Sequence, residues 1–504
     1  MSPWIIAALA GLLAALLLRR KVPLWRRLLF AGPLLAIAAV ALLFAAGMRM
    51  EMEGGGIPRF VTFQNPEKQA AQIEADRAKP EAEPVTQPTV VEAAITAEWP
   101  DYRGPNRDGV STEKIITAWP NGQLTELWRK PIGGGWASFV IAGNLAYTIE
   151  QRRQQEVIAA YDTATGREFW THKYNADFQE SMGGPGPRAT PTWHDGKLYS
   201  MGATGELIVL DAATGKVNWS KNILTENGAD NITWAMSASP LIVDETVIVQ
   251  PGGPNGKSIV AYNKNTGARA WSSLNDRASY ASPMLTVLNN KRQIVTITAV
   301  RAVGLDASSG KLLWEYPWTT EYDINSAQPI ITGPNRVVIS SGYGHGAALL
   351  EITDAGAKKI WENKKLKNKF NSSVFHNGYI YGFDDSIFTC IDAQTGETAW
   401  KAGRYGFGQV LLASGHLVIT SEAGEVVLLK ADPTAHRELA KFQALDGRTW
   451  NVPAIADGRL FVRNATEMAA FKIADQSRTD EISRPSAAID SPRPVLDTHG
   501  TAAT

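Results

Sequence analysis

The chain of 504 residues balances 50 Lys and Arg against 50 Asp and Glu, so its formal net charge is zero. This balance leaves no basic footprint for nucleic acid, and we therefore exclude a nucleic-acid partner. A single cysteine excludes an intrachain disulfide, and none of the seven histidines has the spacing of a zinc site.

The first 50 residues are dominated by two apolar runs, at 4–18 and 28–47. The second run is long enough to cross a bilayer as a helix, and the first is at the short limit. The loop between them carries five positive charges, which places it on the cytoplasmic side. We predict that residues 1–50 form a hairpin of two transmembrane helices. A signal peptide over residues 1–18 is the alternative, although it would lack a basic first region.

Two polar segments flank the central part of the chain. Residues 51–98 are rich in Glu, Ala, Pro, Gln and Lys and predict a disordered tether, part of it with helical character around residues 67–79. Residues 474–504 are rich in Ser, Pro, Asp and Ala and predict a disordered tail. A tether of this kind would let the remaining domain stand away from the bilayer.

A short unit recurs through residues 99–473. In four copies an Asp opens a tight turn, a Gly closes it and a Trp follows in the returning strand, and these copies begin at Asp162, Asp211, Asp306 and Asp392. The Asp can bond its own backbone and the Gly supplies a positive φ. The tryptophans recur at 128, 170, 219, 271, 314, 361 and 400, roughly 39 to 52 residues apart. This period, with four short strands in each unit, predicts a β-propeller.

The same pattern predicts how the ring of blades closes. The last unit, residues 452–473, has only three strands, and Trp128 stands in an isolated strand near the start of the domain. We predict that this N-terminal strand completes the last blade, which removes the open sheet edges. The predicted fold class is therefore all-β, an eight-bladed propeller over residues 99–473 behind the transmembrane hairpin; seven blades is the nearest alternative.

The unit Asp-x-x-Thr-Gly-x-x-x-Trp resembles the tryptophan-docking repeat of the quinoprotein alcohol dehydrogenases. It also resembles the repeat of the bacterial outer-membrane assembly lipoprotein that shares their eight-bladed propeller. Residues 99–473 are similar as a whole to the bacterial PQQ-like (pyrroloquinoline-quinone repeat) propellers, whose members open with a phrase like Trp99–Gly109. The resemblance is strong evidence for fold and weak evidence for function, because propellers host many unrelated activities. The two apolar runs and the basic loop between them, and not this resemblance, predict a bacterial inner-membrane protein with its propeller on the periplasmic side.

The cofactor that the resemblance implies is opposed by the residues of this chain. The quinoprotein dehydrogenases place an adjacent Cys-Cys disulfide over the quinone, which a chain with one cysteine cannot make. They also hold calcium with Glu, Asn and Asp and use an Asp base, a set that we do not place here. We therefore expect no catalytic residue, no metal and no cofactor. PQQ with calcium is the alternative, in which Arg188 and Trp234 would meet the quinone's carboxylates and ring.

Candidate binding residues lie where each inner strand begins, because these positions surround the central channel of a propeller. Most are aromatic, Arg or Asn residues ahead of small ones, and such a funnel suits a small molecule or a peptide. The predicted funnel residues are Trp136, Glu150, Arg188, Trp234, Tyr280, Asn325, Asn371, Phe407, Trp450 and Asn451. The alternative is that these side chains only plug the channel and pack against one another.

These observations predict a membrane-anchored, periplasm-facing scaffold for binding or assembly. Its partner would be a protein or a small ligand at the propeller mouth, and residues 4–47 would contact the membrane. A PQQ-dependent alcohol or sugar dehydrogenase is the alternative. A sensor or carbohydrate binder is a third hypothesis, since aromatic rings at the funnel could stack on sugars.

Overall fold

The computed structural model describes residues 23, 32–33, 36–43, 48–52, 54, 58–63, 65–79 and 97–474. The first predicted membrane span, residues 80–96 of the predicted tether and residues 475–504 of the predicted tail lie outside these ranges. Residues 36–43, within the second predicted span, are helical. Within the described ranges, no helix is both long and apolar enough to cross a membrane.

Eight blades of four antiparallel strands form a closed ring, which confirms the predicted eight-bladed all-β propeller; seven blades consist of consecutive strands, and blade 8 does not. Inner strands of neighbouring blades contact one another, including those of blades 8 and 1. Blades 1 to 4 consist, from the inside outward, of Val140–Ala142, Leu145–Arg152, Gln155–Asp162 and Glu168–Asn175; Thr192–His194, Lys197–Met201, Glu206–Asp211 and Val217–Asn222; Leu241–Val243, Thr246–Val249, Ile259–Asn263 and Arg269–Ser273; and Met284–Leu288, Lys291–Ile297, Arg301–Asp306 and Leu312–Pro317. Blades 5 to 8 consist of Ile330–Gly333, Arg336–Ser341, Gly346–Thr353 and Gly356–Asn363; Val374–His376, Tyr379–Asp384, Ile387–Asp392 and Thr398–Arg404; Gln409–Ala413, His416–Thr420, Glu425–Lys430 and Glu438–Gln443; and Ala454–Ala456, Arg459–Arg463, Glu467–Lys472 and Thr125–Pro131.

Blade 8 is completed by the N-terminal strand, as predicted. Thr125–Pro131 pairs antiparallel with Glu467–Lys472, and Trp128 lies opposite Ala470. A further short strand, Val110–Ser111, runs parallel to the inner strand of blade 7. Both ends of the domain are thus hydrogen-bonded into sheets, and the ring has no open blade.

The third strand of each blade is buried on both faces because a neighbouring sheet covers each face. In blade 2, Leu207 and Val209 pack with Val260 of blade 3. The alternate residues Ile208 and Leu210 point the other way and pack with blade 1. The core is therefore a series of apolar layers between blades, in agreement with the strand pattern of the sequence.

The repeated tryptophans join most of the blades to the next blade. The Trp170 ring of blade 1 lies against the third-to-fourth-strand turn of blade 2, and its Nε1 donates to Ala212 O at 3.0 Å. The same bond runs from Trp128 to Thr163 O at 2.9 Å, so it also spans the closure between blades 8 and 1. Equivalent bonds to the next blade join Trp219 to Lys264 O, Trp361 to Ala393 O and Trp400 to Asp432 O.

Two tryptophans depart from this pattern. Trp271 lies against Gly310 of blade 4, but its Nε1 has no hydrogen-bond partner among the described residues. Trp314 stays within its own blade, where Nε1 donates to Gln293 Oε1 at 2.7 Å. Blade 5 follows with a tight turn at Thr353–Gly356 and offers Trp314 no Asp-x-x-Thr-Gly turn.

The turn that receives each indole is shaped by its Asp. Asp211 Oδ1 accepts from the backbone N of Thr214 at 2.9 Å and from its hydroxyl. Gly215 closes the turn with a φ of +71°, and a Cβ there would lie 2.6 Å from the Trp170 ring. Asp therefore sets the turn, and Gly provides both the positive φ and the flat surface for the indole.

The described residues between 48 and 79, namely 48–52, 54, 58–63 and 65–79, form an N-terminal arm that contacts the propeller through Met52, Gly54 and helix residues such as Gln69. It consists of a β-hairpin, Met48–Met52 with Pro58–Phe63, and a helix α1, Pro66–Arg77. Helix α1 buries Ile73 and places the Gln69 amide on Ile132 O and Ala465 O, at 2.8 and 2.7 Å. This part of the predicted tether is therefore a helix bound across blades 8 and 1.

The remaining short elements are α2 at Ile223–Asn227, two 3₁₀ turns at Pro120–Gly122 and Glu321–Asp323, and a two-residue strand pair at Gln179–Glu180 and Gly184–Pro185.

We expect Gly215→Ala to destabilise the propeller more than Gly196→Ala. The φ of Gly196 is +72°, so the two substitutions share the backbone strain of about 1–3 kcal/mol. Nothing lies within 4 Å of a Cβ at Gly196, whereas at Gly215 it would meet Trp170. Overpacking should therefore add about 1–3 kcal/mol at Gly215 alone. Urea unfolding measures the difference, and equal losses for the two variants would contradict ring docking.

The one cysteine, Cys390, lies fully buried in the third strand of blade 6. Burial raises the pKa of its thiol to about 12, although a hydrogen bond with Tyr381 opposes this. At pH 8 the thiolate is therefore scarce, and a thiol reagent should label native protein only as fast as it unfolds. Mass spectrometry after labelling with and without urea checks this; rapid labelling of the native chain would contradict the burial.

Candidate functional site

An aromatic cavity of about 560 Å³ opens at the end of the channel where the inner strands begin, and we call it the funnel. Most of its wall comes from residues just ahead of the inner strands. The lining residues are Gly54, Tyr102, Trp136, Met182, Gly183, Arg188, Trp234, Ser237, Tyr280, Ser282, Tyr322, Ile324, Ser326, Tyr343, Lys369, Phe370, Gln409, Trp450 and Val452. The wall is thus an aromatic surface with a few charged groups, which is typical of a binding site.

The loop Trp99–Gly109 crosses the channel beneath the funnel. Arg107 in this loop is 2% exposed and donates to Pro283 O at 2.8 Å and to Pro240 O, just ahead of blades 4 and 3. The carboxylate of Asp101 lies 2.6 Å from the same guanidinium, so the buried charge is paired.

A second arginine of this loop binds another part of the ring. Arg103 is also buried and donates to Ser373 O at 2.9 Å, at the start of blade 6. Tyr102, between Asp101 and Arg103, lines the funnel. The loop therefore ties the inner strands of several blades together and forms the floor of the funnel.

Arg188 on the funnel wall and Arg448 beside it both bind backbone carbonyls, and that of Arg448 is Met182 O at 2.9 Å. Arg188 donates to Gly184 O at 2.9 Å and to Gly186 O. Burial lowers its pKa to about 10, although the nearby Glu180 carboxylate opposes this, so Arg188 stays a cation at neutral pH. Arg448 lies 5.1 Å from the ring centre of Trp136 and 4.2 Å from that of Trp450. Such stacking favours the cation and holds it in place.

Two side chains of opposite charge, Lys369 and Glu422, lie beside Gly54. Lys369 Nζ lies 4.5 Å from the ring centre of Phe407 and donates to Gly54 O at 3.1 Å. Glu422 accepts from Trp450 Nε1 at 2.8 Å and from Gly54 N at 2.9 Å. Both groups therefore bind the main chain of the N-terminal arm.

The structure brings half of the predicted funnel residues together. Trp136, Arg188, Trp234, Tyr280 and Trp450 line the cavity. The rings of Trp136 and Trp450 lie 4.9 Å apart, and those of Trp234 and Tyr280 lie 6.0 Å apart. These contacts leave a cavity between the pairs, so the side chains do more than pack against one another.

The other predicted funnel residues lie outside the cavity lining. Asn325, Asn371 and Asn451 are buried, and each donates its side-chain amide to a backbone carbonyl, namely Thr298 O, Gly408 O and Ala137 O in that order. Phe407 is buried behind Phe370, with ring centres 5.8 Å apart. These four residues therefore support the wall from behind, because their polar groups or rings face neighbouring strands.

Glu150 lies apart from the funnel, in the second strand of blade 1 near helix α1. It is fully buried, accepts from Gly133 N at 3.0 Å and pairs with Arg152. Burial works against its ionisation, but Arg152 and Arg463 outweigh burial and lower the pKa of Glu150. The predicted role of Glu150 at the funnel is thus replaced by a structural ion pair.

Sequence reasoning missed Tyr102, Lys369, Glu422 and Arg448. Tyr102 belongs to the opening phrase Trp99–Gly109, which indicated the family resemblance but no binding role. Lys369 directly precedes Phe370, and Arg448 precedes Trp450 by two residues, so charges next to predicted aromatic positions were the available signal. Glu422 lies between two strands of blade 7 and offered no such signal.

We expect Arg107→Met to lower the free energy of unfolding by about 3–5 kcal/mol, because Asp101 and several carbonyls would stay buried without their partner. Arg292→Met is the matched control. Arg292 pairs with Asp244 at the surface, where loss of a pair costs about 1 kcal/mol or less. Denaturant unfolding of both variants checks this, and a loss at Arg107 no larger than the control's would contradict the structural role of the loop.

Comparisons with known proteins agree with this architecture. Residues 153–402 match the family model described as outer membrane protein assembly factor BamB. BamB of Burkholderia pseudomallei is 22% identical over 290 residues, 49% of this chain and 71% of that protein. A quinohemoprotein alcohol dehydrogenase of Comamonas testosteroni is 35% identical over 123 residues, which are 23% of this chain and only 16% of the enzyme.

Solved structures show the same fold at low sequence identity. BamB of Moraxella catarrhalis superposes with a TM-score of 0.51 at 15% identity, over 71% of this chain and 99% of that one. A quinohemoprotein alcohol dehydrogenase of Pseudomonas putida gives a TM-score of 0.50 at 14% identity, over 79% and 83%. The chain is a PQQ-like β-propeller protein, related in fold to the quinoprotein alcohol dehydrogenases and to the outer-membrane assembly propeller.

Proposed function

We propose that this propeller is a binding scaffold whose funnel receives a polypeptide. The observation that carries the proposal is that the charged side chains in and beside the funnel form hydrogen bonds with peptide groups. Arg188, Arg448 and Lys369 donate to peptide carbonyls, and Glu422 accepts from a peptide N–H. Groups held in this way suit recognition of protein main chain, and the aromatic rings between them offer apolar contact area.

The relatives support a role in assembly. Two of the similar proteins are named outer membrane protein assembly factors, from Burkholderia pseudomallei and Bordetella pertussis. Their identity to this chain is 22% and 20%, so the partner is part of the proposal rather than transferred with the fold. We propose that this chain likewise binds a protein partner that takes part in assembly, and that it does so outside the cytoplasm.

Location forms part of the same proposal. The apolar runs at 4–18 and 28–47 with the basic loop between them support an anchor through residues 4–47 of the chain. The propeller would then lie on the periplasmic side of the inner membrane. The arm of residues 48–79 would join this anchor directly to the funnel and to blades 8 and 1.

A quinoprotein oxidoreductase is the second candidate, favoured by the cations and aromatic rings of the funnel. The donor set does not fit a calcium-held quinone. Arg188 already binds two backbone carbonyls, and Cys390 is buried within blade 6. Among the residues that the structure describes, no three His, Cys, Asp or Glu side chains could hold a metal ion. We therefore keep PQQ with calcium as the alternative and propose no cofactor.

Photo-crosslinking in the native cell tests the scaffold role. We would replace Tyr322 or Tyr343, both at the funnel, with p-benzoylphenylalanine, and Ile360 on an outer strand as the matched control. We expect a discrete protein adduct at both funnel positions and none at Ile360, because the partner enters the funnel. The readout is the mass of the adduct and its identity by peptide sequencing.

The alternative has its own readout. Purified full-length chain would be mixed with PQQ and calcium, dialysed and assayed for dye reduction with ethanol or glucose. A retained chromophore with substrate-dependent dye reduction would contradict the scaffold role. Absence of an adduct at both funnel positions would contradict it as well.

A further inference from the structure

Gly54, which lies between the two strands of the N-terminal hairpin, is inside the funnel, and we call Met52 and Gly54 the tip. Gly54 is part of the cavity lining. The two side chains that bind it, Glu422 and Lys369, lie more than 300 residues further along the sequence. Its N–H donates to Glu422 at 2.9 Å, and its carbonyl accepts from Lys369 at 3.1 Å. One residue is therefore held from both sides by groups of opposite charge.

A second carbonyl of the same tip is also bound. Arg448 Nη1 donates to Met52 O at 2.8 Å and to Met182 O at 2.9 Å. The stack of this guanidinium on Trp450 fixes its direction. The funnel thus contacts residues 52 and 54 through their main chain, and such bonds recognise a backbone whatever its side chains are.

The site leaves no room for a side chain at position 54. A Cβ on Gly54 would lie 2.7 Å from Phe370 Cζ and closer still to the Phe407 ring. The ring centres of these two phenylalanines lie 5.8 Å apart, and both rings are packed against other parts of the wall. The walls therefore select glycine, because any larger residue would need both rings to move.

The groups that bind the tip are held in place by the propeller itself. Glu422 also accepts from Trp450 Nε1, and Lys369 also lies over the ring of Tyr343 at 5.0 Å. The hairpin is kept nearby because helix α1 is bound at blades 8 and 1. A tethered segment of this kind acts at an effective concentration on the order of millimolar.

We propose that the funnel mouth is a peptide-binding site for a segment with a central glycine, and that Met52 and Gly54 of this chain's own arm occupy it intramolecularly. A partner segment must displace this tip before it can enter. The inference rests on the proposed function for its biological use, since it gives the class of segment that a partner would present. The site itself is defined by the contacts of the arm.

The test uses the full-length chain in detergent and a fluorescent 16-residue peptide with the sequence of residues 48–63. Gly54→Val in the chain should expel the tip and leave the funnel wall unchanged. We expect this variant to bind the peptide at least about tenfold more tightly than wild type, the factor for a tip that occupies the site nine-tenths of the time. Fluorescence anisotropy measures both affinities.

Two matched controls define the result. Gly333→Val in the chain should behave as wild type, because Gly333 is remote and a Cβ there would lie no closer than 3.7 Å to its neighbours. A peptide with valine at position 54 should bind the Gly54→Val chain at least about tenfold more weakly than the glycine peptide. Hydrogen exchange should show faster exchange at residues 405–409 and 448–452 in Gly54→Val alone.

Equal binding of the peptide by wild type and Gly54→Val would overturn the proposal, and so would absence of binding by either chain. Equal binding of the glycine and valine peptides would overturn the selection of glycine. These outcomes are separate from the test of the scaffold role. A crosslinked partner without peptide binding would overturn the peptide-binding site and place the partner elsewhere on the mouth. Peptide binding without a crosslinked partner would support the peptide-binding site and contradict the scaffold role.

Discussion

Docking of an indole from one blade on the turn of the next is the interaction on which the structure depends. A sheet of four strands cannot cover both of its own faces, so each blade needs two neighbours. The docked ring fixes the distance and angle between outer strands, while the apolar layers between third strands provide most of the buried area. Because Trp128 repeats the contact at the seam, the ring closes with the same geometry that builds it.

Closure of the ring in turn creates the funnel. The inner strands all begin at one end, so their preceding loops converge there, and the Trp99–Gly109 loop seals the channel beneath them. Charged groups reach this place from separate loops and are held by aromatic rings. The N-terminal arm joins two distant parts of the propeller, with helix α1 across the seam and Gly54 within the funnel. Ring closure and access to the site therefore share one segment.

The blades could be predicted because each docking unit is local: Asp, Gly and Trp lie within nine residues, as in Asp211–Trp219. Half of the predicted funnel residues line the cavity, because residues such as Trp136 and Trp450 precede inner strands. Glu150 misled because a buried acid near a strand end suggests chemistry, whereas Arg152 and Arg463 make it a structural ion pair. The contacts of Gly54 depend on residues over 300 positions away, and no periodic pattern carries such information.

The free energy of unfolding of Trp128→Phe tests the central claim most directly, because this ring docks across the seam between blades 8 and 1. The substitution removes the bond to Thr163 O and part of the ring. The account predicts one cooperative transition, displaced by about 2–4 kcal/mol. An unchanged midpoint, or separate unfolding of blade 8 alone, would contradict it.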